Sequence, residues 1–209
     1  VDIVSEYNKA SGYSELPLVT VITVVFNAVD SIEQTINGVL GQTYENIEYI
    51  VIDGKSNDGT LEIIKKYSDK ITRWISEEDK GVYDAMNKGV AMATGEWINF
   101  MNAGDVFCDK NTVESLFEGI SEDTDLVYGN AIEKLVSGGA KNLEAGENLE
   151  NLWKGALFGH ESLFVKSNII KNNLFNLKYK VAADYDFIMK CFYKGYKFEK
   201  VGVDVLLFS

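Results

Sequence analysis

Apolar residues follow two rhythms along this chain, and their alternation predicts its layout. "VTVITVVF" (19–26) is a β-branched run that reads as a buried strand. Behind it Ile32, Ile36, Val39 and Leu40 repeat at helical spacing, with Asp30 and Glu33 forming a capping box. "IEYIVI" (47–52) is a second strand that ends at Asp53, and Thr60 to Tyr67 reads as a short helix capped by Asp58. "ITRWIS" (71–76) gives a third strand and runs into the acidic corner Glu77-Glu78-Asp79. Val82, Ala85, Met86, Gly89, Val90 and Ala93 then share one face of a helix that Gly95 ends. "EWINFM" (96–101) is the fourth strand, and Asn111 with Glu114 caps a further helix. Such alternation predicts an α/β fold: one domain with a mostly parallel central sheet and helices on both faces.

After "DLVYGN" (125–130) the rhythm loosens. Residues 137–150 read as an exposed loop and "HESLFV" (160–165) as another strand. A helix begins at Asp184 or a neighbour, pairs Phe187 with Cys191 and Ile188 with Phe192, and stops at Gly195. "FEKVGVDVLLFS" is strand-like and ends abruptly, as a truncated chain would. Residues 1–17, closed by the single proline Pro17, read as a flanking tail or accessory helix.

Composition narrows the partners. At 209 residues and 46% hydrophobic, the chain can bury a sizeable core. No apolar run approaches the roughly 18 residues of a membrane span, and no signal-peptide pattern opens the chain, so a soluble protein is expected. A net charge of −12 argues against nucleic acid and against unaided binding to anionic lipid. Cys108 and Cys191 lack metal-type spacing and read as reduced thiols of a cytoplasmic protein, Cys191 filling core space.

Ligands of open α/β sheets bind beyond the carboxyl ends of the strands. There the chain places Asp53, Asp79 (with Glu77 and Glu78) and Asp105. Turn preference explains any one of them. Three together would repel unless a cation sat among them or their protonation shifted. "GKS" (54–56) ends like a phosphate loop but has Tyr49 where a glycine is needed, and no G-x-G-x-x-G follows any strand. Phosphate would therefore be met by a divalent metal, Mg²⁺ or Mn²⁺, taking oxygen from Asp105, from phosphate and from water.

The stretch "VTVITVVFNAVDSIEQTINGVLGQTYENIEYIVIDGKSNDGT" resembles the amino-terminal signature of the family 2 glycosyltransferases, which have the glycosyltransferase A fold. "SEEDKGVYDAMNKGVAMATGEWINFMNAGD" continues it, and "HESLFVK" and "ADYDFIMKCFYKGYKF" are similar to its later segments. The resemblance spans roughly 18–200 and implies inverting transfer of a sugar from a nucleotide-diphosphate donor to a hydroxyl acceptor. Residues 18–130 would bind the nucleotide sugar and 131–209 the acceptor. Phe26 and Asn27 match the pocket for the nucleoside, and Asp53 matches the first acid of the family's "DDGS" motif. Gly54 replaces the second acid, so a side chain that reads the base is missing there. Asp79 and Lys80 fall where the family contacts nucleoside or diphosphate. The D-x-D motif is reduced to Asn102-Ala103-Gly104, leaving Asp105 as the metal ligand, with Asn102 offering an amide oxygen.

Asp184, in "AADYDF", aligns with the family's catalytic base, with Ala183 in place of the usual preceding glutamate. At a helix start the dipole would favour its ionised form. Asp186 ranks behind it. His160, the single histidine, lies in the acceptor-facing segment "GHESLF". Trp153 is a candidate sugar platform, whereas Trp97, Tyr44 and Tyr83 read as packing or pocket wall. The implied setting is assembly of a bacterial surface polysaccharide on a saccharide or lipid-linked saccharide, in the cytoplasm or at the inner face of the membrane. Two rival readings are a sugar nucleotidyltransferase, whose glycine- and proline-bearing loop is missing from "FNAVDS", and a non-catalytic nucleotide-sugar-binding module.

Overall fold

The computed structural model describes residues 16–208, so the flanking tail expected over 1–17 lies almost wholly outside the described residues. Strands β1 (Val19–Val25), β2 (Ile47–Asp53), β3 (Arg73–Ser76) and β4 (Trp97–Phe100) alternate with helices α1 (Ile32–Leu40), α2 (Thr60–Lys66) and α3 (Val82–Met92). They pair in parallel in the order β3-β2-β1-β4. The chain starts in the middle, builds outward to β3, then returns to the other side of β1. That reversal opens a crevice beyond the carboxyl ends of β1 and β4.

The second half turns antiparallel. β8 (Leu163–Lys166) runs against both β4 and β6 (Leu126–Lys134). β9 (Phe198–Phe208) lies parallel to β6, and the two-residue β5 (Val106–Phe107) closes the far edge. The loop expected over 137–150 instead contains β7 (Ala140–Leu143), a hairpin partner of β6. Its shortness hid it: of four residues only Leu143 is partly buried, too few to give a rhythm.

Two apolar layers cover the sheet, as strand alternation demands. Ile22, Ile50, Ile52 and Phe100 face α3 and two later helices, α5 (Ser167–Lys171) and α6 (Ala183–Tyr193). Val21, Tyr49, Val51 and Trp97 face α1, α2 and α4 (Thr112–Phe117). Cys191 is fully buried in the first layer, as expected.

Two predicted caps are not formed. No side chain caps α1, because Glu33 is taken by Lys66 Nζ (2.7 Å) and the Tyr67 hydroxyl (2.8 Å). Glu114 accepts from Thr43 rather than capping α4. Asp58 does accept the Thr60 N–H, at 3.0 Å. Val82 is exposed, and Tyr83 takes the inward position.

The lower rim, opposite the crevice, is held by Glu48. This buried carboxylate accepts from Thr20 Oγ1 (2.6 Å), Thr94 N (2.7 Å) and Thr94 Oγ1 (2.8 Å). Burial opposes its charge, but these donors prevail and lower its pKa. Gly95 does not end α3, which stops at Met92; it sits against β1. A Cβ there would fall 2.5 Å from Thr20 Oγ1 and 2.7 Å from Thr20 N. Gly95→Ala is accordingly expected to destabilise the chain by about 1–3 kcal/mol through overpacking against backbone. Urea denaturation measures this, and an unchanged midpoint would show that β1 can yield.

Candidate active site

The turn after β4 is built by backbone and by α1. Asp105 N–H donates to Asn102 O (3.0 Å), and Gly104 adopts a left-handed φ of 107°. Thr35 Oγ1 accepts from Gly104 N (3.0 Å) and donates to Asp105 O (2.8 Å), while Gln34 holds Gly104 O. The Asp105 carboxylate takes no part in this turn. Burial and the neighbouring charge of Glu161 push its pKa up to about 7, against a smaller lowering by His160. A carboxylate that the turn does not need, in surroundings that penalise its charge, requires another explanation.

Asn99 links this turn to the next element. Fully buried in mid-β4, it donates through Nδ2 to Glu161 O (2.8 Å) and Leu163 O (3.0 Å). It thereby fixes the 3₁₀ turn His160–Ser162 that leads into β8. His160 and Glu161 are brought over Asn102. His160 Nε2 lies 3.1 Å from Glu161 Oε1 and 3.1 Å from Asn102 Nδ2. Asn102 Nδ2 also donates to Glu161 Oε1 at 3.2 Å.

The other side of the imidazole meets Asp184. His160 Nδ1 stands 3.1 Å from Asp184 Oδ2, and the Tyr83 hydroxyl donates to Asp184 Oδ1 at 2.6 Å. Burial alone would raise the Asp184 pKa, but the hydrogen bonds from His160 and Tyr83 outweigh it and hold the carboxyl well below the usual range. Burial likewise opposes charge on His160, yet Asp184, Glu161 and Asp105 raise its pKa overall. Tyr83 is pushed up to about 12, by burial first and then by Asp184, so it stays a donor. Asp184 enters α6 after Ala182, whose φ of 66° is left-handed. Asp186 points elsewhere, paired with Lys190 at 2.5 Å, and is not part of this cluster.

The remaining predicted residues gather beyond β1–β3. Asp53 is fully buried, with its oxygens taken by Ser56 Oγ (2.5 Å) and Ser76 Oγ (2.6 Å). It clamps the loops after β2 and β3 together and offers no open face to a ligand. Asn27, with φ 48°, accepts the Asn57 N–H at 2.9 Å. Phe26 is 64% exposed and rises beside Gly54. A Cβ at Gly54 would lie 2.5 Å from Asp79 Oδ2 and 3.3 Å from the Phe26 ring, so the missing side chain is what lets Asp79 lie there. Lys80 is exposed and its amine has no ion-pair partner among the described residues. Glu77 and Glu78 are neutralised by Lys88 and Lys55, both at 2.9 Å.

The acids expected to share one ion are therefore divided. Asp53 and Asp79 lie toward Phe26, whereas Asp105 faces Glu161 and His160. Among the described residues no three His, Cys, Asp or Glu side chains converge as a metal cage. What does fit a hard cation is Asp105 together with Asn102, whose Oδ1 is buried with no partner among the described residues. That pair supplies two oxygens, and a bound ligand would have to complete the set. Glu161, Asn99 and the Tyr83 link to Asp184 escaped the sequence reading. The one available signal was Asn99, a polar residue inside an apolar strand.

The model of the family described as "Glycosyl transferase family 2" matches residues 20–179. The PGL/p-HBAD biosynthesis glycosyltransferase of Mycobacterium tuberculosis is 32% identical over 184 residues, covering 84% of this chain and 70% of that protein. Among solved structures, S. aureus TarS 1-349 in complex with UDP has a TM-score of 0.73 at 20% identity, over 90% of this chain. The mannosyltransferase PcManGT of Pyrobaculum calidifontis, in complex with GDP-Man and Mn²⁺, gives 0.72 at 18% identity over 93%. The chain spans 59% of the first structure and 57% of the second. At these identities the likeness establishes a shared fold.

Asp105 yields a test of sign. Its folded pKa of about 7 exceeds the ordinary value of about 4 for a free aspartate. The folded chain thus holds an extra proton between those values, and stability falls as pH rises through that window. Asp105→Asn removes the penalty, so in EDTA its gain over wild type should be larger at pH 8 than at pH 5. Urea titrations at both pH values measure it. Greater stability of the wild type at pH 8 would mean that a cationic partner already holds the carboxylate.

Proposed function

The chain belongs to glycosyl transferase family 2, and from that premise we propose that it moves a sugar from a nucleotide-diphosphate donor to a hydroxyl acceptor with inversion. The observation that carries this reading is the Tyr83–Asp184–His160 arrangement beside Asp105 and Asn102. Residues of both halves of the chain meet there, one supplying the donor side and the other a held carboxylate.

In this reading the Asp184 carboxylate is the base. Tyr83 and His160 each donate to a different oxygen, and a carboxylate has about four acceptor positions, so room remains for an acceptor hydroxyl. As the hydroxyl proton passes to Asp184, the acceptor oxygen bonds to the anomeric carbon and the bond to the diphosphate breaks, its electrons leaving with the phosphate. A base held strongly ionised is weak in the ground state but always in the correct protonation state at neutral pH. His160 keeps the carboxylate oriented and shares its charge with Glu161.

Phe26 and Asn27 would line the nucleoside site, with Asp79 reading it beside Gly54 and Asp53 holding the loop beneath. Lys80 would face the diphosphate. TarS binds UDP and PcManGT binds GDP-Man with Mn²⁺, so both nucleotides are the donors to try first. Asp105 and the Asn102 amide oxygen would hold a Mg²⁺ or Mn²⁺ ion, which when bound offsets negative charge on the departing diphosphate. The acceptor would be a saccharide or lipid-linked saccharide in surface polysaccharide assembly, with the enzyme in the cytoplasm or at the inner membrane face. No helix among the described residues is long and apolar enough to cross a membrane.

Incubation with UDP- and GDP-sugars, Mn²⁺ and an acceptor should release nucleoside diphosphate. Release of pyrophosphate instead would assign a nucleotidyltransferase. Asp184→Asn should lower turnover by roughly 10²–10⁴-fold, about 3–5 kcal/mol of barrier, while nucleotide binding persists. Near-normal turnover would remove Asp184 from the chemistry.

A further inference from the structure

A cavity of about 640 Å³ lies next to this cluster, under the β6–β7 hairpin and the end of β9. Its walls include Leu143, Leu157, Phe158, Leu206 and Phe208, and its charged lining residues are Asp105, Glu144 and Glu161. The walls are pinned. Gly146 N–H bonds to Leu157 O at 2.9 Å, Ala145 N–H to Asn130 Oδ1 at 3.0 Å, and Phe158 stacks on Tyr128 with centroids 4.0 Å apart. The space is therefore held open by fixed elements, and its volume suits a small molecule.

Chemistry restricts the occupant. Among the described residues no lysine or arginine lines the cavity, and all three of its ionisable groups are acidic, so an anionic diphosphate is disfavoured there except where a metal ion on Asp105 offsets its charge. A bare sugar could bond to Asp105, Asn142, Glu144 and Glu161 but would leave the wall of Leu143, Leu157, Phe158, Leu206 and Phe208 without an apolar partner. An apolar group is favoured by burial against the same side chains. Asp105 and Glu161 connect the cavity to the reacting cluster, since Glu161 also contacts His160. An occupant thus adjoins the cluster on its Glu161 side, with Asp184 on the opposite side of the imidazole.

We infer that this cavity receives an apolar group, alkyl or aromatic, attached close to the hydroxyl that is glycosylated. The inference rests on the glycosyl-transfer reading and specifies its acceptor: a neutral amphiphile with an apolar part next to the reacting hydroxyl. The donor stays on the far side of Asp105, beyond β1 and β2. Selectivity between acceptors then comes from the apolar part more than from the sugar.

The test uses the whole chain with three probes, methyl, n-hexyl and phenyl β-glucoside, and calorimetry. Hexyl or phenyl glucoside should bind at least about tenfold tighter than methyl glucoside, a gain consistent with burying a six-carbon group. Whichever of the two binds better tells an alkyl from an aromatic source. Ala156→Trp, on the exposed loop at the cavity wall, should abolish the preference and leave UDP or GDP binding with Mn²⁺ within about twofold. Leu143→Gln, which keeps side-chain volume, should weaken it even if the tryptophan variant fails to fold. Equal affinity for all three glucosides, or a preference that survives both substitutions, overturns the inference. So does a concentration-dependent dimer that Ala156→Trp disperses, which would give the cavity to a second copy. Loss of nucleotide binding in the wild type would instead count against the glycosyl-transfer reading, and the two failures are read on separate ligands.

Discussion

One carboxylate holds the two halves of the site in register. Asp184 lies at the start of α6, and its two donors come from α3 and from the turn before β8. Removing a charge from water is costly, and here hydrogen bonds aimed at each oxygen offset that cost. Without Tyr83 or His160 the charge would be half-buried and underpaired, so the three residues stand or fall together. Because Tyr83 and Asp184 are 101 positions apart, this contact also sets how the later helix docks on the earlier one.

The acids at the strand ends show how little residue type says about role. Asp53 is spent on Ser56 and Ser76 and shapes a loop. Asp79 fills space that Gly54 leaves open. The Asp105 carboxylate is held neither by its turn nor by a partner among the described residues, and it carries a raised pKa. The difference lies in the donors each meets: where hydroxyls or amides are at hand an acid becomes structural, and where they are missing its charge is left for something else to balance.

Asn99 carries this logic into the core. A fully buried amide in mid-strand donates to two carbonyls, Glu161 O in the neighbouring turn and Leu163 O at the start of β8, while its Oδ1 has no partner among the described residues. The same bonds place Glu161 and His160 against Asn102. Fold and site are thus joined by one polar residue in an apolar strand, and a substitution made for packing there would also move the histidine.

The β-branched runs and helical spacings were enough to mark β1 to β4 and the helices between them, because burial on a fixed face leaves a period in the sequence. Family motifs likewise pointed to Asp105, His160 and Asp184. Hidden were the short exposed strand β7, which is too brief to show a period, and the partners of Glu33 and Glu114, which lie on other elements and leave the predicted caps unformed. Pattern along the chain reports which face a residue turns to the core. It does not report which distant donor meets a given oxygen. The division of the acids, the Tyr83–Asp184–His160 contact and the apolar cavity all depend on groups brought together from far apart in sequence. Those were decided by tertiary packing, since a hydrogen bond needs its partner within about 3 Å and only the folded sheet sets that distance.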